Sequence, residues 1–311
     1  MAKILITESV HPIGPELLTA AGHTVVYADR DMDIIRREIV DADAVLVRII
    51  ELPGSLLATA KNLKIVSKHG VGYDNIDLDY CKSHGIAVTI TPNANSLSVA
   101  EHAFTLMLTL AKNIIPVSNE YRTVGFAAKN HAPGIEMTGK TLGLIGMGRI
   151  GKYVLHMCKD GLDMHVIVYD PYISEVPEGV EKVDDLSELL RRADVVTLHC
   201  LLTDETRKLI DRERLALMKP TALLINCARG PIVDEAALIE ALENGRLAGA
   251  GLDVTDPEPV APDSPLFKLP NVIVTPHYAP TTVESATRVS KIAAENINAV
   301  LAGQEPVGRI V

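Results

Sequence analysis

Several absences narrow the possibilities before any motif is considered. No apolar run approaches the roughly 20 residues that a membrane-spanning helix needs. No signal-peptide pattern opens the chain, because Met1-Ala2-Lys3-Ile4-Leu5-Ile6 runs directly into a strand-like segment. The four cysteines, Cys81, Cys158, Cys200 and Cys227, include no Cys-x-x-Cys pair. Neither a zinc site nor a redox motif is therefore expected, and no metal is assigned. Scattered thiols of this kind fit a reducing cytoplasm. Basic residues are not in excess: 30 Lys and Arg stand against 40 Asp and Glu, a net charge of -10. That balance disfavours nucleic acid as a partner, although it permits a local basic pocket for a small anion. There is no internal repeat, no low-complexity segment and no long linker.

What is present is a chain of 311 residues, 47% apolar and 23% charged. Its length allows about two domains, and the interspersed charge argues against disorder. Short β-branched runs alternate with segments of helical period, the pattern of βαβ units and parallel sheets. The first set of strand candidates is Lys3–Thr7, Thr24–Tyr27, Ala44–Val47, Lys64–Ser67 and Ile86–Val88. A long helical stretch follows over about 96–123, with Asn95 or Ser96 as its cap and Pro116 expected to kink or divide it. This helix is the expected hinge connection. A second set comprises Leu142–Ile145, His165–Tyr169, Val195–Leu198, Ala222–Asn226, Gly249–Leu252 and Val272–Thr275, before a final helix over about 282–301. The fold class is α/β, with two doubly wound parallel-sheet domains.

Gly146-Met147-Gly148-Arg149-Ile150-Gly151 fits G-x-G-x-x-G. With 21 glycines in 311 residues, one chance match is expected about 0.1 times, so the motif needs its context. A strand precedes it and a helical pattern follows. Gly146 permits the tight turn, Gly148 lets a pyrophosphate approach the backbone, and Gly151 lets the helix pack on the strand. Asp170 closes the next strand, where a carboxylate accepts from ribose hydroxyls and repels a 2′-phosphate. NAD is therefore favoured over NADP.

Ligands of open parallel sheets bind beyond the carboxyl ends of the strands. His199 and Cys200 follow one strand of the second set, and Cys227, Ala228, Arg229 and Gly230 follow the next. Asp253 and Glu258 come after a third, and His277 after the last. Arginine binds a carboxylate in a forked geometry. Histidine protonates a ketone oxygen as hydride arrives, and a neighbouring glutamate fixes its tautomer. These residue types suit hydride transfer between nicotinamide and a small 2-hydroxy or 2-keto acid.

With these residues the sequence resembles the D-isomer-specific 2-hydroxyacid dehydrogenase family, in its phosphoglycerate dehydrogenase-like branch. The matching segments are 143–151, 226–230, 253–259 and 275–277, together with Gly70-Val71-Gly72-Tyr73-Asp74-Asn75-Ile76-Asp77 and Pro92-Asn93-Ala94-Asn95-Ser96. The resemblance covers nearly the whole chain. It implies a Rossmann NAD domain (99–279) inserted in a flavodoxin-like substrate domain formed by 1–98 and 280–311. It implies that Arg229 binds substrate, that His277 is the acid–base group and that Glu258 supports it. Arg149, Ile150, Asp170, Cys200, Cys227 and Asp253 would line the NAD site, beside the loop residues His199 and Ala228. The Gly70-Val71-Gly72 backbone would cradle the substrate carboxylate. A homodimer through the central domain and the arm after the long helix is also implied.

Arg48, Lys68 and Lys112 fall where the phosphoglycerate branch places basic residues near a phosphate, although that branch often has arginine in place of Lys68. Phosphohydroxypyruvate, hydroxypyruvate and glyoxylate are all compatible substrates. The chain ends soon after His277, so feedback by serine through a C-terminal regulatory domain is not expected. Two other readings compete with this one. A nucleotide-sensing corepressor of the same fold would not need the Arg229, Glu258 and His277 set. The formate-oxidising members resemble the family but carry glutamine at the place of Glu258.

Overall fold

The computed structural model describes residues 1–311 and divides them into two compact units. One comprises Met1–Asn95 and Pro280–Val311, the other Ser96–Ala279. No helix is long and apolar enough to cross a membrane.

The first unit holds five parallel strands: β1 (Lys3–Ile6), β2 (Thr24–Tyr27), β3 (Ala44–Val47), β4 (Ile65–Lys68) and β5 (Ala87–Thr89). Their order is β2-β1-β3-β4-β5, the flavodoxin-like arrangement, whose topological switch lies between the first and third strands. Alanine, valine and leucine fill β3, and all four of its residues are buried because helices cover both faces. On one face Ile4, Ile6, Leu46 and Ile65 pack with Ala293, Ala294 and Ile297 of the C-terminal helix Val283–Leu301. On the other, Leu5, Val45 and Val66 meet Ile35, Leu57 and Cys81. The last residues return along β5, where Ile310 N–H donates to Val88 O at 2.8 Å. The tail thus pairs with the edge strand of this unit, although it is distant in sequence, and Val311 packs against the core.

The second unit holds seven parallel strands: β6 (Thr141–Ile145), β7 (His165–Tyr169), β8 (Val180–Lys182), β9 (Val195–Leu198), β10 (Leu223–Asn226), β11 (Gly249–Leu252) and β12 (Val272–Val274). The order is β12-β11-β10-β9-β6-β7-β8, with its switch between β6 and β9. Six of these strands are legible in the sequence, and β8 is not. It is a three-residue edge strand, Val-Glu-Lys, with only Val180 apolar. Pairing with Val166–Val168 of β7 creates it, rather than any pattern of its own.

The expected long helix is two helices. Ser96–Ala111 ends before Asn113, whose φ of 49° is left-handed, and Ile114–Val124 begins anew. Pro116 lies in the first turn of the second helix, where its missing N–H costs nothing. The first of the two helices lies close on the sheet because Gly249 and Gly251 leave room there for Leu110 and Leu106. It stays with the sheet it covers, so the division between units falls before Ser96 rather than after 98.

Candidate active site on the second unit

The Gly146–Gly151 turn joins β6 to the helix Arg149–Leu162. Its three glycines are required for different reasons. Gly146 has φ 89°, and a Cβ there would lie 2.8 Å from Cys200 N, across the switch point. A Cβ on Gly151 would lie 2.3 Å from Gly146 O. A Cβ on Gly148 would meet nothing within 4 Å, so no protein contact demands glycine there. Gly148 also caps the helix without any side-chain hydrogen bond. Helix N–H groups beside open space form an anion site. Gly148 and Arg149 are exposed, whereas Ile150 packs on the core.

Asp170 follows β7. One oxygen accepts Met147 N–H at 2.9 Å and the other Tyr172 N–H at 3.0 Å. The carboxylate thus pins the glycine-rich turn and shapes its own, and its remaining lone pairs suit ribose hydroxyls.

His199 and Cys200 leave β9 against Gly146. Burial holds the His199 imidazole neutral down to about 3, and its Nε2 lies 2.8 Å from Thr197 Oγ1. Burial raises the Cys200 thiol to about 11. Burial and then the charge of Asp253 push Cys227 well above the usual thiol range. Both thiols therefore line this edge as neutral groups at physiological pH.

Arg229 is carried by the loop after β10, and one of its guanidinium nitrogens donates to Ala228 O at 2.8 Å. The sequence reading did not single out Asn226 as a site residue, although its buried side chain braces this loop. It accepts Ala228 N–H at 3.0 Å and donates to Arg229 O at 2.9 Å. An amide at the end of an otherwise apolar strand is the signal that could have found it. Gly230 permits the next contact: a Cβ there would lie 1.9 Å from Thr255 O, in the segment leading to Glu258.

His277 and Glu258 meet directly, with Nδ1 and Oε1 2.6 Å apart and both side chains about one-third exposed. Because a carboxylate only accepts, Nδ1 carries the proton and Nε2 is left for chemistry. His277 has φ 51°, which is costly for a residue with a Cβ. Asp253, 1% exposed at the end of β11, holds that turn. Its carboxylate accepts Tyr278 N–H at 2.7 Å, Ala279 N–H at 2.9 Å and the Thr275 hydroxyl at 2.5 Å. Its carbonyl accepts His277 N–H at 2.8 Å. The resemblance implies that Asp253 lines the NAD site; in the structure its carboxylate also holds the histidine turn.

Lys112 does not reach this edge. The helix Ser96–Ala111 starts beside it, with Ser98 bonded to Ala279 O and His102 to Thr275. It then passes Leu106 against Gly251 and Leu110 against Gly249. Lys112 is exposed beyond its far end, at the amino end of β11.

At the carboxyl edge of the first unit, Glu8 is buried and accepts Arg48 N–H at 2.7 Å and Ile49 N–H at 2.9 Å. Arg48 reaches Ser9 O at 3.0 Å. Lys68 is not a solvated surface lysine. It is buried, and its ammonium donates to Arg48 O and the Asn75 side chain. Gly70 has φ 146°, and its carbonyl accepts Thr91 N–H at 2.9 Å, which shapes the turn that Val71 and Gly72 continue.

Residues 104–279 match the family model for the D-isomer specific 2-hydroxyacid dehydrogenase, NAD binding domain. The chain belongs to that family. It is 43% identical over 308 residues to a D-3-phosphoglycerate dehydrogenase of Methanocaldococcus jannaschii, covering 98% of this chain and 58% of that protein. The chain thus spans little more than half the length of that relative. A glyoxylate reductase of Thermofilum pendens is 38% identical over 98% of this chain and 93% of its own length. The solved structure of the TT0316 protein of Thermus thermophilus superposes with a TM-score of 0.92 at 35% identity, over 99% of this chain and all of that one.

The glycine geometry predicts opposite outcomes for two alanine substitutions. Gly148→Ala should leave thermal stability within about 0.5 kcal/mol of wild type. Gly230→Ala should cost about 3 kcal/mol, because backbone must move to admit the methyl. Thermal melts of the two variants check this. Equal stability of the two would contradict the crowding argument.

Proposed function

We propose that the protein is an NAD-dependent oxidoreductase that interconverts a small D-2-hydroxy acid and its 2-keto acid. The observation that carries this reading is the Glu258–His277 pair, 2.6 Å apart at the sheet edge that also carries the Gly146–Gly151 turn. The glycine-rich turn and the N-terminus of the helix Arg149–Leu162 hold the pyrophosphate, and Asp170 receives the ribose hydroxyls. Cys200, Cys227 and Ala228 form the neutral wall beside them. A nicotinamide nucleotide, when bound, supplies or accepts the hydride.

The chain's own residues do the rest. Arg229 binds the acid's carboxylate and orients the carbonyl. Glu258 keeps Nδ1 of His277 protonated and stabilises the imidazolium. Nε2 delivers a proton to the carbonyl oxygen during reduction and removes it during oxidation. On the first unit, the Gly70-Val71-Gly72 backbone, with Arg48 and Lys68, presents N–H groups and positive charge suited to an anion.

Two substrate classes are in view. The phosphoglycerate dehydrogenase relative supports 3-phosphoglycerate and phosphohydroxypyruvate. The glyoxylate reductase relative, which shares nearly its full length with this chain, supports glyoxylate. We also propose a cytoplasmic homodimer. Four free cysteines are consistent with the compartment. The dimer reading is supported by the arm Ile114–Val124, which buries none of its residues and, with the turn after it, exposes Ile114, Tyr121, Val124 and Phe126.

His277→Ala should lower kcat by about 10²- to 10⁴-fold, the usual contribution of a general acid–base group. NADH affinity, read by fluorescence titration, should stay within about twofold. Wild-type turnover would overturn the assignment. Asp170→Asn should weaken NADH binding by about tenfold, or 1.4 kcal/mol, and narrow the preference over NADPH. An unchanged preference would mean that another group reads the ribose.

A further inference from the structure

The histidine turn is secured by a second histidine that the proposed mechanism does not use. His102 lies on the helix Ser96–Ala111, and its Nε2 is 3.0 Å from Thr275 Oγ1 and 3.4 Å from Asp253 Oδ1. The ring meets Tyr278 edge-on, with centroids 6.2 Å apart. Its side chain is 17% exposed, and that of Asp253 is 1% exposed.

Donor counting fixes the direction of the chain. The ionised Asp253 only accepts, so the single hydroxyl proton of Thr275 is committed to it. Thr275 Oγ1 can then only accept from His102, whose Nε2 must carry a proton. The order is His102 Nε2–H to Thr275 Oγ1–H to Asp253. Asp253 in turn receives the N–H groups of Tyr278 and Ala279, immediately after His277. These bonds offset the cost of the left-handed His277 backbone.

We infer that His102 is a positioning residue for the proposed hydride-transfer reaction, acting on His277 through Thr275 and Asp253. The inference rests on the reading of His277 as the acid–base group. His102 touches no reacting atom. It brings a side-chain donor, besides the Thr275 hydroxyl, toward the buried Asp253 carboxylate, and it anchors the turn to a helix rather than to loop alone. A polar histidine just before the apolar run Ala103–Leu110 fits this demand, because the helix there faces Thr275 and the later turns face Gly251 and Gly249. Loss of the donor leaves both partners in place but frees the turn that aims Nε2 of His277. A misaimed acid lowers the rate of the chemical step while leaving the distant pyrophosphate and ribose contacts intact.

The test uses the whole chain. His102→Leu should lower kcat at least tenfold at saturating NADH and keto acid, with NADH affinity within about threefold. His102→Gln, which restores an N–H donor, should recover most of kcat. Thr275→Val removes the middle link and should match His102→Leu. The double variant should lose little more than either single one, because all act through one chain. If His102→Leu does not fold, Thr275→Val against His102→Gln carries the same test. Wild-type kcat in His102→Leu or Thr275→Val would overturn the inference. So would strictly multiplicative losses, or a loss that His102→Gln does not repair. If His277→Ala is inactive while those variants keep full kcat, only this inference fails. If His277→Ala is itself fully active, the mechanism beneath it fails.

Discussion

A single buried carboxylate organises the sheet edge that carries His277 and Glu258. Asp253 stands at the end of β11 with three hydrogen bonds to its oxygens and a fourth to its carbonyl, all from residues 275–279. A buried charge without such partners would be expensive. With them it fixes a backbone that a histidine rarely adopts, and so fixes where the imidazole points. The Glu258 contact then sets which ring nitrogen is available. The field of the same carboxylate reaches Cys227 and helps to keep that thiol protonated.

Backbone proximity is the second constraint. Strands β6 and β9 are neighbours at the point where the chain reverses its direction across the sheet. Gly146 lets the turn after β6 touch His199 and Cys200. Gly230 lets the arginine loop touch Thr255, and Asn226 stiffens that loop from below. Residues far apart in sequence reach one edge because glycine occurs where any side chain would hold their segments apart. Gly148 is different, since nothing in the protein crowds it, and its side of the turn remains available to a ligand.

Much of this was legible in the residues. Eleven strands read from β-branched runs occur within a residue or so of the expected positions, because parallel strands buried on both faces must be continuously apolar. The strand β8 has no such run and is made by pairing alone. Pro116 marked a division of the long helix, but the break lies at Asn113, since proline is tolerated in a helix's first turn. Glu258 and His277 were named as partners from the chemistry required, and the structure brings them into contact. The clamp role of Asp253, the brace from Asn226 and the burial of Lys68 were not legible. Each depends on which backbone groups arrive nearby after folding, and sequence spacing does not encode that. Lys112 was misplaced for a related reason: a helix running antiparallel to its neighbouring strand carried it to the opposite end of the sheet.

The central claim is that this edge transfers hydride to a short 2-keto acid, and the most direct measurement is NADH oxidation. Initial rates would be followed by loss of NADH absorbance with glyoxylate, hydroxypyruvate, phosphohydroxypyruvate and pyruvate in parallel. Saturable oxidation with at least one of them, yielding the D-isomer wherever the product is chiral, is the predicted result. Tight NADH binding without turnover of any member of the panel would contradict the account.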